Sequence, residues 1–119
     1  ALVVGSDTLL YRLVFNLVEN AIRYSRAGST VNVSICDNDS HVFLRVEDQG
    51  PGIPKQYRES IFQPFFRLDK SRSRAYGGAG LGLALVWEIA ALHGGTVEVE
   101  ASSKNGTTML ATLPKRTAA

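Results

Sequence analysis

Gly77-Gly78-Ala79-Gly80-Leu81-Gly82-Leu83 runs without a break into the apolar stretch Ala84 to Leu92, which ends at His93-Gly94-Gly95. Glycine is a poor helix former, so this many glycines at the mouth of a helix carry a cost in propensity. Their backbone freedom lets successive N–H groups converge on an anion at the helix N-terminus, where the helix dipole also favours negative charge. The Lys-Ser/Thr ending of a P-loop is absent. The segment in front, residues 67 to 80, sets five charged groups among Ser, Ala and Gly and reads as a mobile loop, not a strand. The glycine run therefore does not open a parallel strand–helix–strand unit. It predicts a phosphate-binding loop feeding a helix over Leu81 to Leu92, stopped by the glycines after His93.

Working outward, alternation takes over on both sides. Thr96 to Ala101 and Thr107 to Leu113 read as two strands joined by a turn at residues 103 to 106. Upstream, Val31, Val33 and Ile35 point one way with Asn32 and Ser34 the other, and Val42, Leu44 and Val46 repeat the pattern. Asp37-Asn38-Asp39-Ser40 between them is a hairpin loop. Lys55 to Phe62 is expected to form a short helix. Residues 8 to 25 carry apolar side chains at Leu9, Leu10, Leu13, Val14, Leu17, Val18, Ala21 and Ile22, the spacing of a helix with one broad buried face, and Ser6 or Asp7 can cap it. The expected fold is an α/β two-layer sandwich: a mixed, largely antiparallel sheet of about five strands with three helices on one face. Residues 1–119 form one domain, with 115–119 a loose tail.

Composition narrows the function. With 45% hydrophobic and 20% charged residues this is an ordinary globular chain, and its net charge of +2 is too small to point to nucleic acid. Cys36 is the only cysteine, which excludes an internal disulfide and argues against a cysteine-based zinc site. The longest mainly apolar run, Leu81 to Leu92, is too short to span a bilayer and contains Glu88. The chain begins inside an apolar stretch, Ala1 to Val4, as a fragment of a longer protein would.

Three further constellations bear chemistry. Asn16 and Asn20 sit four apart on the first helix, so both project from one strip beside the core face, and Arg23 follows on the same side. A carboxamide oxygen there suits a hard cation, since Mg²⁺ takes one or two protein oxygens plus phosphates and water. Asp48-Gln49-Gly50-Pro51-Gly52-Ile53 follows a strand directly. Its glycines let backbone approach a flat ligand, and its carboxylate can accept from adenine's exocyclic amine while rejecting guanine's carbonyl. Phe62, Pro64, Phe65 and Phe66 precede Arg67, Lys70, Arg72 and Arg74, an arrangement that suits a basic lid on an apolar base.

In this order the segments resemble the catalytic ATP-binding domain of two-component sensor histidine kinases. Asn16-Leu-Val-Glu-Asn20-Ala-Ile-Arg-Tyr24-Ser is similar to the N box, and Asp48-Gln-Gly-Pro-Gly52-Ile-Pro to the G1 box. Ile61-Phe-Gln-Pro-Phe-Phe-Arg67 is similar to the F box, Gly78-Ala-Gly-Leu-Gly-Leu-Ala84 to the G2 box, and Asn105-Gly-Thr-Thr108 to the closing glycine-threonine motif. The resemblance covers about residues 1 to 114. It implies that Asn20 ligates Mg²⁺ between the phosphates of ATP, with Asn16 in support. It places Arg23 on phosphate, Tyr24 against the base and Asp48 on the adenine amine. Gly50, Gly52 and Ile53 would shape the base pocket, and Thr107 would close its back. Lys70 with Arg72 or Arg74 would serve as lid groups, while Gly78, Gly80, Leu81, Gly82 and Leu83 would wrap the phosphates.

Two departures stand out: Ala79 replaces a hydroxyl residue common in the family, and Arg23 replaces the commoner Lys. Related ATPases (gyrase B, the heat-shock chaperones, the mismatch-repair proteins) carry a glutamate near Asn16 to activate water; with Asn there, ATP should be held with little hydrolysis. Neither His41 nor His93 is followed by the acidic residue of the acceptor motif. The resemblance thus implies a kinase domain whose acceptor histidine lies on a separate dimerisation domain, with a response-regulator aspartate receiving the phosphoryl group next. The fragment itself is expected to be a monomer and the full-length protein a homodimer, with this domain on the cytoplasmic side of an inner-membrane bacterial sensor. A serine kinase of the anti-sigma-factor type and a non-enzymatic nucleotide-binding module are the competing expectations.

Overall fold

In the computed structural model, residues 5–66 and 82–115 are described. Helix α1 covers Asp7–Tyr24 and helix α2 Gly82–Leu92; the strands are β1 Asn32–Asp37, β2 His41–Glu47, β3 Thr96–Ser103 and β4 Gly106–Pro114. Among the described residues the sheet has four strands in the order β1-β2-β4-β3, and all three pairings are antiparallel. The expectation of about five strands is therefore met by four, with no parallel pairing among them.

Register explains the core. Val33, Val46, Met109 and Val99 share one row, and Ile35, Leu44, Ala111 and Val97 the next, so both rows point to one face. Both helices pack on the sheet, α1 over β2 and α2 over β3 and β4. Leu13, Leu17 and Ala21 of α1 and Val86, Ile89 and Ala90 of α2 close on those rows and are fully buried. By contrast, Val33 and Ile35 stay 48% and 65% exposed. They alternate as the sequence predicts, but β1 is the edge strand and α1 covers its neighbour instead.

Ser6 caps α1, its Oγ accepting from the Leu9 N–H at 3.2 Å, and Asp7 adds negative charge in the first turn. Helix α2 ends in a paired-carbonyl cap: Gly95 N–H donates to Ala90 O at 2.7 Å and Gly94 N–H to Ala91 O at 3.0 Å. Gly94 takes φ +75°, which explains glycine there. The short helix expected over Lys55 to Phe62 is instead two single 3₁₀ turns, Lys55–Tyr57 and Ser60–Phe62. Lys115, expected in a loose tail, is tied down: its N–H donates to Ser40 O at 2.8 Å and its ammonium pairs with Asp37.

Candidate functional site

One contact fixes the geometry of the helix layer. His93, just past α2, donates from Nδ1 to Ile89 O at 2.8 Å, and its Nε2 accepts from the Ser6 N–H at 3.3 Å. The C-terminus of α2 thus meets the N-terminus of α1, and since the two helices pack together they run antiparallel. At 1.5 Å per residue the 11 residues of α2 extend roughly 16 Å back along α1. That places Gly82, the first residue of α2, level with Asn16 and Asn20. His93 accordingly ties the end of α2 to the start of α1.

The loop after β2 arrives at the same end. Gln49 N–H donates to Ser25 Oγ at 3.1 Å, just beyond α1, and a Cβ on Gly50 would lie 2.2 Å from the Tyr24 carbonyl oxygen. The strand-end motif is therefore wedged under the C-terminus of α1, one turn from Asn20. On its other side it meets the β3–β4 hairpin. Asp48 donates from its backbone N–H to Thr107 O at 2.9 Å. Its Oδ1 accepts from both Gly50 N–H, at 2.9 Å, and Thr107 N–H, at 3.2 Å. Among the described residues, Oδ2 accepts no hydrogen bond. Asp48 is half-buried, so among the described residues a fixed carboxylate keeps one acceptor oxygen without a partner in a partly desolvated place.

Gly52 has φ +87°, and a Cβ there would sit 2.2 Å from Ser103 O. Ile53 N–H donates to Ser102 Oγ at 2.8 Å, and that hydroxyl meets Thr107 Oγ1 at 2.8 Å. Thr107 is 4% exposed and forms the floor between loop and hairpin. Ser102 and Ser25 were missed in sequence. Nothing in their spacing marks them, because each acts through a partner brought up by tertiary packing.

Asn16 and Asn20 are both half-buried, and among the described residues neither carboxamide has a hydrogen-bond partner. No cluster of three or more His, Cys, Asp or Glu able to hold a metal occurs among the described residues. The donor set fits Mg²⁺ only in the mode where a ligand's phosphates supply most of the oxygens and a carboxamide one more. Arg23 donates from Nη2 to Glu19 Oε1 at 3.3 Å, which leaves its other guanidinium donors for a phosphate. Tyr24, at the helix end, is 38% exposed. Leu83 is half-buried against the core. Lys70, Arg72, Arg74, Gly78, Ala79, Gly80 and Leu81 lie outside the described residues.

The three phenylalanines separate. Phe62 is buried beside Trp87, ring centroids 5.4 Å apart, and Phe66 packs on Tyr57 at 5.7 Å. Phe65 is 69% exposed and takes φ +65°, a conformation uncommon for a bulky side chain.

An antiparallel sheet of four strands backed by two antiparallel helices defines, among the described residues, a two-layer α/β sandwich. Residues 5–117 match the model of the histidine kinase-, DNA gyrase B- and HSP90-like ATPase family, and the chain belongs to that family. Within it the resemblance is to sensor kinases. The sensor-like histidine kinase SenX3 of Mycobacterium tuberculosis is 46% identical over 112 residues, covering 94% of this chain but 27% of SenX3. The chain thus spans about a quarter of the length of that relative. Among solved structures, the mycobacterial sensor histidine kinase MprB superposes with TM-score 0.83 at 38% identity, over 96% of this chain and 75% of that one. Full-length ShkA, solved in complex with AMPPNP, superposes with TM-score 0.82 at 30% identity, over 98% of this chain and 24% of its own. The chain is accordingly a catalytic ATPase domain of the histidine-kinase type.

Proposed function

We propose that this domain binds Mg-ATP and presents the γ-phosphate to a histidine on a separate dimerisation domain, from which it passes to a response-regulator aspartate. The observation that carries the reading is the convergence at one end of the molecule of the Asp48 loop, the Asn16–Asn20 strip and the start of α2. In this reading the adenine amine donates to Asp48 Oδ2, with Gly50, Gly52 and Ile53 leaving room for the ring. Asn20 would hold the metal through its carboxamide oxygen, and Mg²⁺ there would supply charge neutralisation to the transferred group. Asn16 cannot act as a general base, so water is not activated at that position and ATP persists until a histidine arrives.

The parent protein is read as a homodimeric bacterial sensor with this domain on the cytoplasmic side of the inner membrane. Among the described residues, no helix is long and apolar enough to cross a membrane. The test has two parts. Calorimetric titration with a non-hydrolysable ATP analogue should give saturable one-to-one binding; absence of binding to the folded domain refutes the reading. Adding a dimerisation domain with its histidine, plus ATP, should give acid-labile phosphohistidine. Acid-stable phosphoserine on a protein substrate would instead assign the domain to the serine-kinase branch.

A further inference from the structure

The loop that carries Asp48 is held by two arginines in the same way. Arg26 donates from Nη1 to Gln49 O at 3.0 Å and from Nη2 to Lys104 O at 2.6 Å. Arg58 donates from Nε to Ile53 O at 3.2 Å and from Nη2 to Ser102 O at 3.2 Å. Each guanidinium therefore bridges one carbonyl of the 49–53 loop and one carbonyl of the β3–β4 hairpin, Arg26 at the loop's start and Arg58 at its end. Neither has a carboxylate partner among the described residues, so both planar donor forks are directed at the main chain.

Glycine contacts show how closely the parts fit. A Cβ on Gly52 would lie 2.2 Å from Ser103 O, and one on Gly106 would lie 2.1 Å from Asp48 O. The freedom left to the loop is to hinge away from the hairpin, and that is the motion the two bridges oppose. Hinging would also disturb the Asp48 carboxylate, because Oδ1 takes one bond from the loop, at Gly50, and one from the hairpin, at Thr107.

We propose that Arg58, with Arg26 as its counterpart, is a positioning residue for purine selection: by clamping loop to hairpin it fixes the direction in which Asp48 Oδ2 meets the base. This rests on the reading that Asp48 receives the adenine amine. A loosened loop still binds a diphosphate, but loses the advantage of a base that donates at this point over one that presents a carbonyl.

The test compares ADP and GDP affinities by calorimetry for the parent, Arg58→Gln, Arg58→Lys, Arg26→Gln and Asp48→Asn. Arg58→Gln should lower the ADP-over-GDP preference about tenfold, and the more exposed Arg26→Gln about threefold, as expected for loss of charged hydrogen bonds. A purely structural role would weaken both nucleotides in proportion to the unfolded fraction and leave the ratio alone. Arg58→Lys keeps the charge but not the planar fork, and should not restore the ratio; full restoration would overturn the bridging role. Should Arg58→Gln fail to fold, Arg26→Gln carries the same test. If Asp48→Asn lowers the ratio while both arginine variants keep the parent value, the clamp is wrong and the adenine reading stands. If Asp48→Asn itself keeps the parent ratio, the adenine reading fails and the clamp with it.

Discussion

Asp48 commits one carboxylate oxygen to two backbone amides and leaves the other without a protein donor among the described residues, which is the arrangement a base amine can use. Asp48→Asn should therefore cost about 1.5–3 kcal/mol in ATP affinity, the range for a hydrogen bond to a charged group. Calorimetry on the folded variant checks this, and an unchanged affinity would place the adenine elsewhere. The glycines around it allow a sharper comparison. Gly52 and Gly28 both have positive φ, +87° and +79°, but a Cβ at Gly52 meets Ser103 backbone whereas one at Gly28 meets nothing within 4 Å. Gly28→Ala should cost only the conformational strain, about 1–2 kcal/mol. Gly52→Ala should cost more than Gly28→Ala in chemical denaturation and should also weaken ATP, because the loop must shift to admit the methyl. Equal losses would mean the close approach to Ser103 is easily relieved. In sequence, Asp48-x-Gly-x-Gly was legible because its parts are adjacent. Ser102 was not, since its bond to Ile53 spans 49 positions and depends on a hairpin that only the fold supplies.

Elements with strict periodicity were the readable ones. Eighteen residues of α1 and both β-hairpins appear where apolar spacing put them, within a residue or two at their ends. Lys55 to Phe62 offers only Ile61 and Phe62 to the core, and it forms two single 3₁₀ turns in place of the expected helix. The exposure of Val33 and Ile35 was also unreadable, since alternation reports a shared face but not whether a helix covers it. On the opposite face, Arg45 grips Glu100 with two bonds, Nε to Oε1 at 2.7 Å and Nη2 to Oε2 at 2.8 Å, across 55 positions. Hydrogen bonding to Arg45 holds the Glu100 carboxyl below its ordinary range, and Lys115 does the same for Asp37. A lowered folded-state pKa contributes stability that is present above the ordinary carboxylate value, near pH 4.3 for Glu, and is lost as pH falls through the folded value. Thermal midpoints of the parent and of Glu100→Gln should therefore differ most above the ordinary carboxylate value and converge as pH falls below it. A gap that persists undiminished in acid would show that the pair contributes through packing and not through charge.

At the scale of the whole molecule, the proposed function depends on an arrangement that no single motif contains. The antiparallel setting of α1 and α2, fixed where His93 meets Ser6, brings the glycine-opened start of α2 level with Asn16 and Asn20. The wedged 48–53 loop closes the same end from the sheet side. The boxes could be read in order along the chain, yet their convergence follows from helix direction and loop packing. The decisive question is whether the carboxamides face a metal there. Asn20→Ala removes one candidate inner-sphere oxygen, which water can replace only without the protein's positioning. Alanine is the better helix former, so stability should hold. Metal-free ADP should bind the variant nearly as well as the parent, because Asp48 and its loop are untouched. The gain in ATP affinity on adding Mg²⁺ should shrink, and phosphoryl transfer to a supplied histidine domain should fall by about a hundredfold or more, since misplacement of a reacting group costs on that scale. Paired titrations with and without Mg²⁺ separate the two contributions. If parent and variant show the same Mg²⁺ dependence, Asn20 is a polar residue on a helix flank and the metal is held by other groups.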